Sequence, residues 1–203
     1  MSANISGDYN TGSKEIDIVS MLLINAGIIF NSVEKSDSDD DEDIVVEITD
    51  GRIIRTIEAK EESVDRIARY NDLGIDYISV FQFKNRFDVS KWKGSPKHPG
   101  LLEEFESSII VHKPGKIHYS KADIWLFYSL DNDGQIRFAD WYIGSDLTSA
   151  DFIEYLRLNC YFAVNNKPIS QKSHDDYHQS AVFFINRNDS YLLSLKKSIE
   201  DLF

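Results

Sequence analysis

The sequence predicts an α/β fold, on three observations that follow one another along the chain. Residues 14–26 carry helical periodicity and stop at Gly27, a residue suited to a left-handed helix end. Two β-branched, apolar runs, 44–49 and 52–57, flank Asp50-Gly51, the strongest short-range signal for a two-residue hairpin turn. A second helical pattern at 61–72, ended by Gly74, leads into a strand-like run at 77–84.

Along the first helix Val19, Leu22 and Ala26 form an apolar stripe with Glu15 projecting into its centre, while Asp17 and Ser20 lie on the far side. A carboxylate in such a stripe needs a partner, a hydrogen bond or a metal, because burying it bare costs several kcal/mol. The alternative is a wet first-turn glutamate that complements the helix dipole.

A two-residue loop pairs Thr49 with Arg52, so the numbers of every cross-strand pair sum to 101. Asp43 is then opposite Glu58, and Asp41 opposite Lys60. Opposed side chains share a face with Cβ atoms about 5 Å apart, so two carboxylates placed there repel unless a cation neutralises them. Alternation puts Lys60 on the face of Glu58, and Ile57 and Ala59 on the other. That other face pairs Ile44 with Ile57 and Ile48 with Ile53 and reads as core. A divalent metal site at the open end of the hairpin is one reading of the charged face; simple solvation is the other.

The order helix, strand, acidic residue, hairpin, Glu-x-Lys, helix over residues 14–84 resembles the PD-(D/E)xK nuclease superfamily. The resemblance implies a restriction-endonuclease-like α-β-β-β-α-β core with a mixed central sheet. It implies that Glu15, Asp43 and Glu58, with the carbonyl of Ala59, bind Mg²⁺, with Mn²⁺ as a substitute, and that Lys60 helps to activate water. The expected activity is hydrolysis of phosphodiester bonds in DNA, as an endonuclease of phage, viral, mobile-element or junction-resolvase type, with a homodimer left open. Gln82-Phe83-Lys84 is a second, competing match, and Gln82 and Lys84 are read as substrate contacts. The stretch 113–128, with Lys121-Ala122-Asp123 before an aromatic strand, looks like a segment of several phage and restriction-type nucleases. Two rivals stand beside this reading: a catalytically silent binding module of the same fold, and an acidic DNA mimic.

The rest of the chain reads as follows. Residues 1–12 form a loose arm, and 13–203 one domain with its core at 13–86 and an extension at 87–203. Trp92, Gly94, Pro96, Pro99 and Gly100 mark a loop at 87–100. Residues 101–111 fit a short helix or a strand equally. Runs 124–130 and 135–143 form a second hairpin whose Asp131-Asn132-Asp133-Gly134 link is a turn, with Trp125, Phe127, Trp141 and Tyr142 alternating in its strands, mostly as core, with stacking of one of them on a base as the alternative. A helix is expected at 148–161, a strand at 181–186 and a terminal helix at 191–202. His174 and His178 stand four apart but in a loop-like setting, and do not read as a zinc pair.

At 203 residues with 42% hydrophobic composition, the chain has the material for a core. Twenty-two basic against 34 acidic residues give −12, which by itself argues against binding nucleic acid. Six of the acids fall in 37–43, and the segment from Arg52 to Lys97 is comparatively basic, a candidate DNA track. The single cysteine, Cys160, excludes an internal disulfide and reads as a buried thiol. No apolar run approaches the ~20 residues that span a bilayer, and the N-terminus lacks the pattern of a signal peptide. A soluble, cytoplasmic protein is the expectation.

Overall fold

The computed structural model describes residues 11–36, 44–48, 54–94, 96–168 and 177–203, and side chains over 14–36, 44–48, 54–94, 96–164 and 179–203. In chain order the elements begin with α1 (Thr11–Asn25), β1 (Phe30–Lys35), β2 (Ile44–Ile48), β3 (Ile54–Glu61), α2 (Val64–Tyr70), β4 (Asp72–Phe83) and α3 (Arg86–Trp92). There follow α4 (Leu102–Ser108), β5 (Ile109–Pro114), β6 (Ile124–Leu130), β7 (Ile136–Ile143), α5 (Gly144–Leu147) and α6 (Ala150–Asn159). The chain closes with β8 (Tyr161–Pro168), β9 (Tyr177–Asn186), α7 (Ser190–Leu195) and β10 (Lys196–Lys197). Two compact units result: the first is Met1–Val64, Lys121–Ser145 and Leu195–Phe203, and the second Asp65–Ser120 and Asp146–Ser194.

Unit 1 is a mixed six-stranded sheet in the order β1-β2-β3-β6-β7-β10 with α1 on one face. Gly27, at φ +73°, ends α1: its N–H donates to the Ile24 carbonyl and that of Ile28 to Leu23, both at 3.0 Å. This paired bonding caps carbonyls that a helix end otherwise leaves open. The buried stripe of α1 is Ile18, Val19 and Leu23, with Leu22 on its flank, turned slightly from the expected Val19-Leu22-Ala26 line. It packs on Ile44, Val46, Ile57, Leu126 and Trp141, and burying each such side chain contributes about 1.5–3 kcal/mol.

The register of β2 with β3 is the one expected from the sequence: Ile44 faces Ile57, Val45 Thr56, Val46 Arg55 and Glu47 Ile54. β3 then pairs in parallel with β6, Ile57 beside Ile124 through Glu61 beside Tyr128. Asp123 fixes the start of that register: its carboxylate accepts from the Thr56 N–H at 2.9 Å and the Thr56 hydroxyl at 3.2 Å, and its own N–H donates to that hydroxyl at 3.0 Å. At the far end Glu62 N–H donates to the Tyr128 carbonyl at 2.7 Å.

The strand expected at 77–84 exists as β4, but it is no neighbour of β3. It lies inside a second, wholly antiparallel sheet, β5-β4-β9-β8, in unit 2. The core of this unit is aromatic: Phe105, fully buried, has its ring 5.2 Å from Phe81, 5.3 Å from Phe162, 5.4 Å from Trp92 and 6.3 Å from Phe83.

Two local expectations are corrected, and one open choice is resolved. The loop at 87–100 gives way to α3, because the Asn85 side chain accepts from the Phe87 N–H and Trp92 buries itself at the other end. Residues 101–111 are helix and then strand, α4 followed by β5. The terminal helix ends early, at Leu195, because Lys196 and Lys197 pair with Tyr142 and Trp141 of β7. The turn 131–134 is as expected, with Asp131 Oδ1 accepting from the N–H groups of Asp133 and Gln135. Among the described residues no helix is long and apolar enough to cross a membrane.

Candidate functional site

The parallel pairing of β3 with β6 decides what each face of the unit 1 sheet carries. Ile57 and Ala59 belong to the core beneath α1, together with Ile124, Leu126 and Tyr128. Alternation therefore sends Glu58 and Lys60 to the opposite face, beside Trp125 and Phe127. Glu58 is only 7% exposed there, and Trp125, its register partner, is 2% exposed. Across β6 the same face continues through Asp140 and Tyr142 of β7. Asp140 is buried and accepts from Lys196 Nζ at 2.5 Å.

This face thus buries two carboxylates against three aromatic rings, Trp125, Phe127 and Tyr142, whose successive centroids are 5.9 Å apart. Buried carboxylates are costly unless paired, and Asp140 has its lysine. The Trp125 indole N–H has no hydrogen-bond partner among the described residues. Trp125, Asp140 and Lys196 were not singled out by the sequence as site residues. Their signal is weak: alternation makes both faces of 124–130 apolar, and only the register with β3 shows which face holds Glu58.

Glu15 is on the other side of the sheet. α1 packs on the face of Ile57 and Ala59, and its Lys14 pairs with Glu61, which shares that face, at 2.6 Å. Burial first, then the negative charges of Glu15 and Glu61, push the Tyr128 hydroxyl well above the usual phenol range. The structure therefore brings Glu58 and Lys60 together on one face and Glu15 to the face beneath α1. Asp43 lies outside the described residues, as does Asp41. So does His174, and the His178 side chain is likewise outside them.

Gln82 and Lys84 are in unit 2. Gln82, on β4, pairs in register with Ile110 and is exposed, while Lys84 Nζ donates to the Ser107 carbonyl at 2.6 Å. Cys160 is buried, and burial, followed by the charges of Asp189 and Asp72, raises its thiol to about 12. Both burial and this shift favour the thiol over the thiolate.

Among the described residues no three His, Cys, Asp or Glu side chains gather closely enough to hold a metal ion. Of the ligand set expected from the sequence, the face of Glu58 offers one described carboxylate. Hard divalent cations take carboxylate and carbonyl oxygens, so Glu58 and the Ala59 carbonyl are donors of the right chemistry, and Asp43 is the residue that would complete them. Comparison with known proteins gave no match: no family model, no curated protein and no solved structure is similar enough to place the chain.

Proposed function

We propose that the chain is a metal-dependent nuclease that hydrolyses phosphodiester bonds in DNA. The observation that carries this reading is the buried Glu58 with Lys60 on the same face of β3, next to a hairpin register that runs through Ile44 and Ile57. Asp43 lies outside the described residues; the sequence reading, which gives the same register, expects it opposite Glu58. The mixed sheet, with a helix, a three-strand antiparallel meander and a fourth strand parallel to the third, supports it further.

In this reading Asp43, Glu58 and the Ala59 carbonyl hold Mg²⁺, or Mn²⁺ in its place. The ion, when bound, polarises the phosphate and lowers the pKa of water. Lys60 orients the attacking water and offsets charge that develops on the phosphate oxygens. The aromatic wall of Trp125 and Phe127 keeps the dielectric low around Glu58, which strengthens these charge interactions. Glu15, on the face beneath α1, serves to place the helix and to tune Tyr128.

Glu58→Ala and Lys60→Ala are each expected to lower Mg²⁺-dependent cleavage of labelled linear, nicked and branched DNA by at least about a hundredfold, with the circular-dichroism spectrum preserved. Undiminished cleavage in both variants refutes the assignment.

A second reading, a silent binding module of the same fold, is favoured by the position of Glu15 away from Glu58. Calorimetric titration with Mn²⁺ separates the two: binding that is present in the native chain and lost in Asp43→Asn belongs to a metal site, and absence of any heat belongs to the silent module.

A further inference from the structure

A second cluster of polar groups lies wholly within unit 2 and is independent of the reading of β3. The pairing of β4 with β5 slips twice, between Ile78 and Val80 and between Val80 and Phe81, and that with β9 slips between Asp76 and Ile78. Beside these bulges is a cleft of about 230 Å³, walled by Ile78, Ile109 and Val111 and bearing Tyr77, Glu106 and His118.

The polar groups are tied to one another. Arg157 donates through Nη2 to Glu106 Oε2 at 2.9 Å, through Nη1 to the other Glu106 oxygen, and to the Tyr77 hydroxyl at 2.5 Å. That hydroxyl in turn donates to Glu106. Burial alone pushes the Glu106 carboxyl up, but hydrogen bonds from Arg157 and Tyr77 outweigh it and hold it below its ordinary value, so it is ionised at neutral pH. His118 is held below its ordinary value by burial first, so it is neutral there and keeps one ring nitrogen as an acceptor. Its ring stands 5.2 Å from that of Tyr77.

The placement is enforced by the backbone. The Gly115 N–H donates to the Tyr77 carbonyl at 2.9 Å, and a Cβ at Gly115 would sit 2.2 Å from the Asp76 carbonyl oxygen. The short helical turn that carries His118 can approach β4 this closely only with glycine there.

We propose that this cleft binds a small planar heterocycle bearing N–H donors, the chemical class of the amino-substituted nucleobases. What remains to a ligand is acceptor capacity: Glu106 Oε2, which takes one of the two bonds it can accept, and the acceptor nitrogen of the His118 ring. The donors of the cluster, Arg157 and the Tyr77 hydroxyl, are already engaged with Glu106. Arg157 also neutralises Glu106, which removes the advantage of a full cation, and leaves the cluster without a free cation for a phosphate. The exposed His118 ring, backed by Tyr77, and the aliphatic side chains beside it suit a flat apolar body. The volume is below the 300 Å³ or more typical of drug-sized ligands and suits a single ring system.

Nuclear magnetic resonance of the full chain with labelled Ile and Val methyls tests this, using free cytidine and adenosine as probes. Saturable shifts at Ile78, Ile109 and Val111 are expected. Uridine, which has an acceptor where cytidine has its amino group, should bind at least about tenfold more weakly. His118→Phe keeps the ring and removes the acceptor, and should weaken cytidine by about tenfold. Val111→Trp, on the exposed edge strand, should block binding while leaving the Tyr77–Glu106–Arg157 network in place. The proposal is overturned by the absence of saturable shifts up to roughly 10 mM probe, by equal binding of uridine, or by full binding in Val111→Trp. Cleavage of DNA is not the readout, so failure here leaves the nuclease reading untouched, and the reverse.

Discussion

The two units differ most in where they keep their charge. Unit 2 carries 13 basic and 13 acidic residues, while unit 1 carries 9 and 21, so the whole surplus of 12 acids belongs to unit 1. Unit 1 also buries carboxylates, Glu58 and Asp140, on one face of its sheet, whereas the core of unit 2 is a cluster of Phe and Trp rings. A ring cluster stabilises by burial and by edge-to-face contact. A buried carboxylate does not stabilise unless it is paired, and replacing such a pair with apolar residues is often neutral or better. The difference teaches that burial alone accounts for the core of unit 2, whereas the buried carboxylates of the unit 1 sheet need partners to be tolerated there.

The largest expected effect probes the core of unit 2. Phe105→Ala removes a fully buried ring with four aromatic neighbours and should destabilise the protein by about 3–5 kcal/mol in denaturant titration. A loss under about 1 kcal/mol would break the contrast with unit 1.

Next comes a feature the units share, a glycine forced by backbone contact. A Cβ at Gly144 of unit 1 would lie 1.8 Å from the Ala122 carbonyl oxygen, and one at Gly115 of unit 2 would lie 2.2 Å from that of Asp76. Gly144→Ala and Gly115→Ala should each cost about 1–3 kcal/mol, since backbone on both sides must move. Equal melting temperatures for the variants and the native chain would show that these contacts relax freely.

Acid should act on unit 2 through Glu106 and His118. Both groups have folded values below their ordinary ones, so the unfolded chain binds more protons and stability must rise with pH. The His118 share is present above its ordinary value of 6.5 and is lost as pH falls below it; the Glu106 share is lost further down, through the carboxylate range. Melting followed from neutral to acid pH should show both steps, and Glu106→Gln should erase the lower one and, by removing a charge that raises His118, move the upper one to lower pH.

The smallest effect belongs to the surface of unit 1. Lys14 and Glu61 are 2.6 Å apart but 47% and 40% exposed, so Lys14→Ala should change stability by less than about 0.5 kcal/mol in the same titration.

How much of this was legible beforehand depends on how local its cause is. The end of α1 was readable because one glycine supplies it, and the pairing of Ile44 with Ile57 because a two-residue loop read from Asp50-Gly51 in the sequence implies that register. That Glu58 and Lys60 share a face followed from alternation. The parallel partner of β3 was not readable: Thr56 and Asp123 are 67 residues apart, and no turn between them sets the register. A strand-like run at 77–84 invited assignment to the nearer sheet, and nothing local distinguishes a strand bound for one sheet from a strand bound for another. Asn85 as a helix cap was present in the sequence, but the Gly and Pro residues around 94–100 masked it.

By itself the sequence determined α1 with its end and, within the hairpin, which residues face each other, because hydrogen-bond geometry over a few bonds settles both. The tertiary structure alone decided which side of the sheet α1 covers. With that it put Glu15 on the face of Ile57 and Ala59 and left Glu58 among aromatic rings on the other. The cause is non-local burial: the apolar stripe of a helix can satisfy itself on either face of a sheet, and the choice falls only when residues 124–143 supply the strands that complete a core beneath it.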